Sequence, residues 1–134
     1  MSWAARSIDK ILIVDASAAG RAILRRMLRA LGHPGARYRE AGDGRAALDA
    51  IRLDAPDLIL TELNLPELSG AAMIGHIRAD RGLQHIPVIV VSSLLNDARR
   101  KELEAHGVES MIPKPLSGPL LAAELERVSE WGVS

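Results

Sequence analysis

Three short stretches of this chain, Ile11-Leu-Ile-Val14, Leu58-Ile-Leu60 and Val88-Ile-Val-Val91, are apolar at every position. A strand with one wet face alternates apolar with polar residues, so an unbroken, β-branched run reads as a strand covered on both faces. Strands of that kind belong to a parallel sheet with helices packed on either side.

The segments between the runs have helical period. After Ser17, an N-cap type, Ile23, Leu24, Met27, Leu28 and Leu31 share one face, Arg21, Arg25, Arg26 and Arg29 lie elsewhere, and Gly32 closes the helix. Asp43-Gly-Arg opens a second helix with Ala47, Leu48 and Ile51 inward, ended by Ala55-Pro56. Ser69-Gly opens a third with Met73, Ile74 and Ile77 inward, ended near Gly82. A fourth, from about Asn96 to His106, has only Ala98 and Leu103 to bury and reads as a loosely held element. The last runs from Ser117 to Trp131 with Leu121, Leu125 and Val128 inward, and shorter strands are expected around Tyr38 to Ala41 and Val108 to Ile112. Five βα units in strict alternation imply a doubly wound parallel sheet, whose ligands sit at the carboxyl ends of the strands. With no internal linker or repeat, residues 1–134 read as one domain.

Composition narrows the function. The 17 Lys and Arg balance the 17 Asp and Glu, so net charge favours no nucleic-acid partner, and no helix beyond the five is left over for reading DNA. No cysteine is present, which removes disulfides and thiolate chemistry and fits a cytoplasmic setting. No apolar run approaches a membrane span, and the N-terminus lacks a signal peptide's apolar segment, so the expectation is a soluble protein with no membrane partner. The aromatics are Trp3, Tyr38 and Trp131, too few for a platform that stacks flavin rings or bases. His33, His76, His85 and His106 lack metal-site spacing and read as structural or surface residues. A nucleotide-binding enzyme is disfavoured because no glycine-rich phosphate loop follows a strand.

The strand ends carry Asp15-Ala16, then Glu62 with Asn64-Leu-Pro66 and Ser69-Gly70, then Ser92-Ser93, then Lys114-Pro115. With Ala-Gly-Asp-Gly at 41 to 44, Pro-Asp-Leu-Ile-Leu at 56 to 60 and Pro-Val-Ile-Val-Val-Ser at 87 to 92, these ordered motifs make the chain resemble, over about residues 8 to 130, the receiver domain of two-component response regulators. The resemblance implies a flavodoxin-like (βα)5 sheet with strand order 2-1-3-4-5 and a signalling module rather than an enzyme. Its implied partner is a histidine kinase, a phosphotransfer protein or a downstream effector, and a homodimer is open. In the family, an aspartate at the end of the third strand takes a phosphoryl group, with Mg²⁺ bridging it to acids at the end of the first. Here the phosphoacceptor position holds Glu62, and of the acidic pair Asp15 stays while Ala16 replaces the second acid. Asn64 matches the residue whose backbone carbonyl meets the metal, Ser92 the hydroxyl that binds a phosphoryl oxygen, and Lys114 the lysine that pairs with it, in a Lys-Pro bond the family holds cis. The phosphate half is kept and the metal half is degraded, so no cofactor is expected and Mg²⁺ is weak at best.

Glutamate moves the nucleophile by about a bond length, and a misplacement of roughly 1 Å can cost on the order of 10²-fold. The resulting expectation is a pseudo-receiver that acts through protein contact. The alternatives are a receiver with residual Mg²⁺-dependent phosphorylation and the receiver or dimerisation piece of a longer regulator; the chain itself shows no output domain. Glu62 itself reads either as a solvated loop carboxylate or as an internal partner of Lys114 that stands in for a phosphoryl group. Whether the state is active-like or inactive-like stays open; Ser92 turned away from Glu62 would count against the first. The switch aromatic of the family is replaced by Met111, and Leu116 follows Lys114-Pro115. Arg21, Arg25 and Arg29, at i, i+4 and i+8 on the helix that kinases grip in the family, read as a solvated face or a docking stripe beside Ala18, Ala19 and Ala22.

Overall fold

The computed structural model describes residues 8 to 129; Trp3, Trp131 and the far end of the last expected helix lie outside them. Five strands, β1 (Lys10–Val14), β2 (Arg37–Ala41), β3 (Leu58–Thr61), β4 (Val88–Ser92) and β5 (Ser110–Pro113), alternate with α1 (Ala18–Ala30), α2 (Gly44–Leu53), α3 (Gly70–Ala79), α4 (Asp97–Ala105) and α5 (Gly118–Ser129). All pairings are parallel and the sheet order is β2-β1-β3-β4-β5, as the resemblance implies.

The unbroken apolar runs are explained by the two cores. Ile11 and Ile13 of β1, Leu58 and Leu60 of β3 and Ile89 and Val91 of β4 face α1 and α5, where Leu24, Leu28, Leu121, Leu125 and Val128 close the layer. Leu12 and Val14, Ile59, and Val88 and Val90 face α2, α3 and α4, meeting Leu48, Ile51, Met73, Ile74, Ile77 and Leu103. Successive strand residues point to opposite faces, so both must be apolar when both faces are covered.

The helix starts follow their caps. Side chains of Ser17, Asp43, Ser69 and Asn96 accept from the backbone N–H of Gly20, Ala46, Ala72 and Arg99, each satisfying a donor the helix leaves orphaned. At the end of α1, Gly32 takes φ +126° and His33 N–H donates to Leu28 O, a closure that glycine makes without Cβ strain. Asp57, at the entry to β3, accepts from the backbone N–H of both Asp9 and Lys10 at 2.9 Å, while its own N–H donates to Lys10 O. That carboxylate clamps the start of β1 to β3. Asp57→Ala should cost about 1–2 kcal/mol, read as a lower midpoint in urea with an unchanged slope.

Three expected burials fail. Ile23 is 54 % exposed because it stands over a cavity beside the sheet edge. Leu31, 36 % exposed, caps α1 beyond its last packed turn. Ala98 is exposed, leaving Leu103 as the buried side chain of α4. The fifth strand begins at Ser110, not Val108, because Val108 N–H returns to Leu103 O to finish α4, with Gly107 at φ +74° between them.

Candidate functional site

Parallel pairing brings the carboxyl ends of all strands to one edge, and the register Val14↔Thr61 sets the next residues, Asp15 and Glu62, beside each other. Glu62 N–H donates to Val14 O, and Lys114 N–H donates to Ser92 O, so the exits of β3 and β1 and those of β5 and β4 are each tied by a backbone bond. Lys114 Nζ reaches across to Asp15 Oδ2 at 2.9 Å and Glu62 Oε1 at 3.1 Å. The other oxygen of each acid is also engaged. Asp15 Oδ1 accepts from Ser17 N–H at 2.9 Å, and Glu62 Oε2 folds back onto the N–H groups of Leu63 at 2.6 Å and Asn64 at 3.4 Å. Glu62 is 8 % exposed, so of its two readings the internal pair is the one the geometry has. The Lys114–Pro115 bond is cis.

Burial alone pulls the Lys114 ammonium toward deprotonation, but the hydrogen bonds and charges of Asp15 and Glu62 outweigh it and hold its pKa above the usual lysine range. A folded value raised above the unfolded one contributes stability fully present below the ordinary lysine pKa of about 10.4 and lost as pH rises through the folded value. Followed by its side-chain carbon shift, Lys114 should therefore titrate above that range, and Glu62→Gln should bring its midpoint down. A midpoint unmoved by Glu62→Gln would mean that the pair is absent in solution.

The remaining expected residues lie around this cluster with different partners. Ser92 is fully buried and its Oγ accepts from Leu94 N–H at 3.0 Å; its hydroxyl makes no hydrogen bond to the Glu62 or Lys114 side chain. Asn64 is exposed, with its N–H on Glu62, and Ala16 is exposed and supplies no ligand. Met111 is half-buried on β5 against the core shared by α2, α3 and α4. The arginine stripe turns inward along the sheet edge. Arg21 Nε meets Glu40 Oε1 at 2.9 Å and its Nη1 donates to Asp15 O at 2.6 Å, Arg25 pairs with Glu40 Oε2, and Arg29 lies 5.2 Å from the centre of the Tyr38 ring. Glu40 and the Arg21 contact to Asp15 are neighbours of the cluster that sequence reading missed. The i, i+4 spacing of Arg21 and Arg25 was visible, but nothing local pointed to an acid on another strand.

A doubly wound α/β sheet with two acids and a lysine gathered at its carboxyl edge defines a flavodoxin-like module. Residues 11–126 match the response regulator receiver domain family, and the chain belongs to that family. It is 33 % identical over 121 residues to the chemotaxis protein CheY-3 of Vibrio cholerae, covering 90 % of this chain and 92 % of that protein. Among solved structures it is similar to the receiver domain of a signal transduction histidine kinase from Syntrophus aciditrophicus, with TM-score 0.81, 27 % identity and 94 % of each chain covered. It is also similar to the receiver domain of the sensor histidine kinase PA1611 from Pseudomonas aeruginosa, with TM-score 0.78, 25 % identity, 92 % of this chain and 98 % of that one covered; that protein has a magnesium ion coordinated in its active-site cleft. Receiver domains are modules of two-component signalling that work through kinases and effectors and are not typical enzymes. Among the described residues no helix is long and apolar enough to cross a membrane.

The donor set here does not fit that magnesium. Mg²⁺ demands near-octahedral oxygen coordination, whereas this cleft offers two carboxylates whose four oxygens already accept hydrogen bonds, one from each meeting the Lys114 ammonium. Ala16 adds no oxygen where a second acid would stand.

Proposed function

We propose that this is a phosphorylation-independent pseudo-receiver, a single domain that signals by protein contact from a fixed state. The observation that carries the reading is the Lys114 bridge: one ammonium lies on both Asp15 and Glu62, the place where a receiver needs a divalent cation and a free carboxylate. Glu62 Oε2 is held by two backbone N–H groups, so the lone pairs of that oxygen point at the chain rather than at an incoming phosphoryl group, and Oε1 lies on the Lys114 ammonium. Ser92, turned to Leu94 N–H, supports an inactive-like state. In this reading Glu62, Ser92 and Lys114 are the remnant of the phosphate site, and Asp15 and Asn64 that of the metal site.

The intramolecular pairs of Arg21 and Arg25 favour the face around α4, β5 and α5, with Met111, as the contact surface over the α1 stripe. The test is an amide NMR titration of this chain with Mg²⁺ and then beryllofluoride, a phosphoryl mimic. No saturable shift at Glu62, Ser92 or Lys114 is expected; saturable shifts there would replace the pseudo-receiver by a working one.

A further inference from the structure

Directly beside the Lys114 bridge lies a half-open cavity of about 240 Å³. Leu24, Val91 and Leu116, all of the α1 and α5 layer, make its apolar walls, and Ile23 lines it while 54 % exposed, which places this side chain at the mouth. Asp15, Glu62 and Lys114 form its polar end. A water occupies roughly 30 Å³ of liquid, and a dry apolar cavity of about 150 Å³ accepts benzene. The space thus suits one ring or a branched chain with a short tail.

The polar end selects the head group. Each carboxylate has about four lone-pair positions. Asp15 uses two of its own, for Ser17 N–H and Lys114, and Glu62 three, for Leu63 N–H, Asn64 N–H and Lys114. About three acceptor positions remain against a single unused donor on Lys114. The three side chains together carry one net negative charge, in a cleft where water screens it less than at an open surface. A cation that donates hydrogen bonds satisfies this end, and an anion meets excess charge and an excess of acceptors.

We propose that the cavity binds a small amphipathic amine, its ammonium on the Asp15 and Glu62 carboxylates and its apolar body against Leu24, Val91 and Leu116. Such a ligand sits against Pro115 and Leu116, the start of the segment that leads into α5. The domain's output is then set by ligand occupancy where a phosphorylated receiver uses the phosphoryl group. This inference rests on the phosphorylation-independent reading.

The probe is phenethylamine, titrated into this chain by amide NMR beside phenylacetate and 2-phenylethanol, which share its ring but carry an anionic or a neutral head. Saturable shifts at Leu24, Thr61 and Val91 with a Kd on the order of 1 mM are expected for a ligand of this size. Phenylacetate should bind at least roughly tenfold more weakly. Ile23→Trp, at an exposed position that leaves the core intact, should close the mouth and abolish the shifts. Absence of saturation by about 20 mM, equal binding of phenylacetate or the alcohol, or shifts that persist in Ile23→Trp would overturn the proposal. If the amine fails while beryllofluoride is silent, only the amine site falls. A response to Mg²⁺ and beryllofluoride overturns both this inference and the reading beneath it.

Discussion

Glu62→Asp combined with Ala16→Asp should switch on Mg²⁺-dependent phosphorylation, seen as a phosphoryl mass gain with acetyl phosphate and as beryllofluoride shifts around Ser92 and Lys114. Shortening the side chain withdraws the carboxylate from the Leu63 and Asn64 N–H groups, which hold Glu62 Oε2 at 2.6 and 3.4 Å. That returns the nucleophile by about a bond length, and a placement error of roughly 1 Å is worth on the order of 10²-fold in rate. The second substitution adds the oxygen ligand that Ala16 withholds, so that a divalent cation can compete with Lys114 for Asp15. The two changes act on one constellation and should be strongly non-additive, each single variant staying near the parent. Lys114 is kept in the double variant because its ammonium can then leave the acids for a phosphoryl oxygen. Labelling of the parent at a rate within a few-fold of the double variant would contradict the pseudo-receiver reading, since the methylene and the missing acid would then have no kinetic consequence.

What sequence alone revealed divides along the physics of locality. The β1, β3 and β4 runs and the caps Ser17, Asp43, Ser69 and Asn96 are local patterns and stand where expected. β2 was the faintest strand because it lies at the sheet edge, where Arg37 and Glu40 are exposed and no unbroken apolar run is required. Asp15, Glu62 and Lys114 were legible as strand-end residues because the architecture itself names those positions. Their joint ion pair was not: Asp15 and Lys114 lie 99 residues apart, and only the sheet order places β5's exit across from β1's. The pairing of Glu40 with Arg21 and Arg25 has the same character, and so does the cavity under Ile23, which depends on how the segment from Pro115 to Leu116 passes α1. Helical period assigned Ile23 to the core because period reports direction, not whether the facing layer reaches that far.

A large stability loss should come from Gly70→Ala, at the first position of α3. A Cβ there would stand 2.3 Å from Glu62 O and 2.8 Å from Leu63 Cα, both backbone atoms of the β3 exit. Neither can rotate away, and Gly70 N–H is itself bonded to Leu63 O at 2.9 Å, so relief requires moving α3 or the strand end. Overpacking of this kind costs typically 1–3 kcal/mol, and backbone against backbone places this case near about 3. In a domain of this size that lowers Tm by roughly 10 °C. The displaced strand end carries Glu62, so the Lys114 midpoint should fall toward the ordinary lysine range in the same variant. Gly75, in the same helix, is the control: a Cβ there would meet nothing within 4 Å. Gly75→Ala should stabilise by about 0.5–1 kcal/mol, through helix propensity and a less flexible unfolded chain. Propensity alone gives both substitutions the same sign. Opposite signs, read from two urea melts, isolate the close approach of α3 to the β3 exit, the contact that aims Glu62 at Lys114.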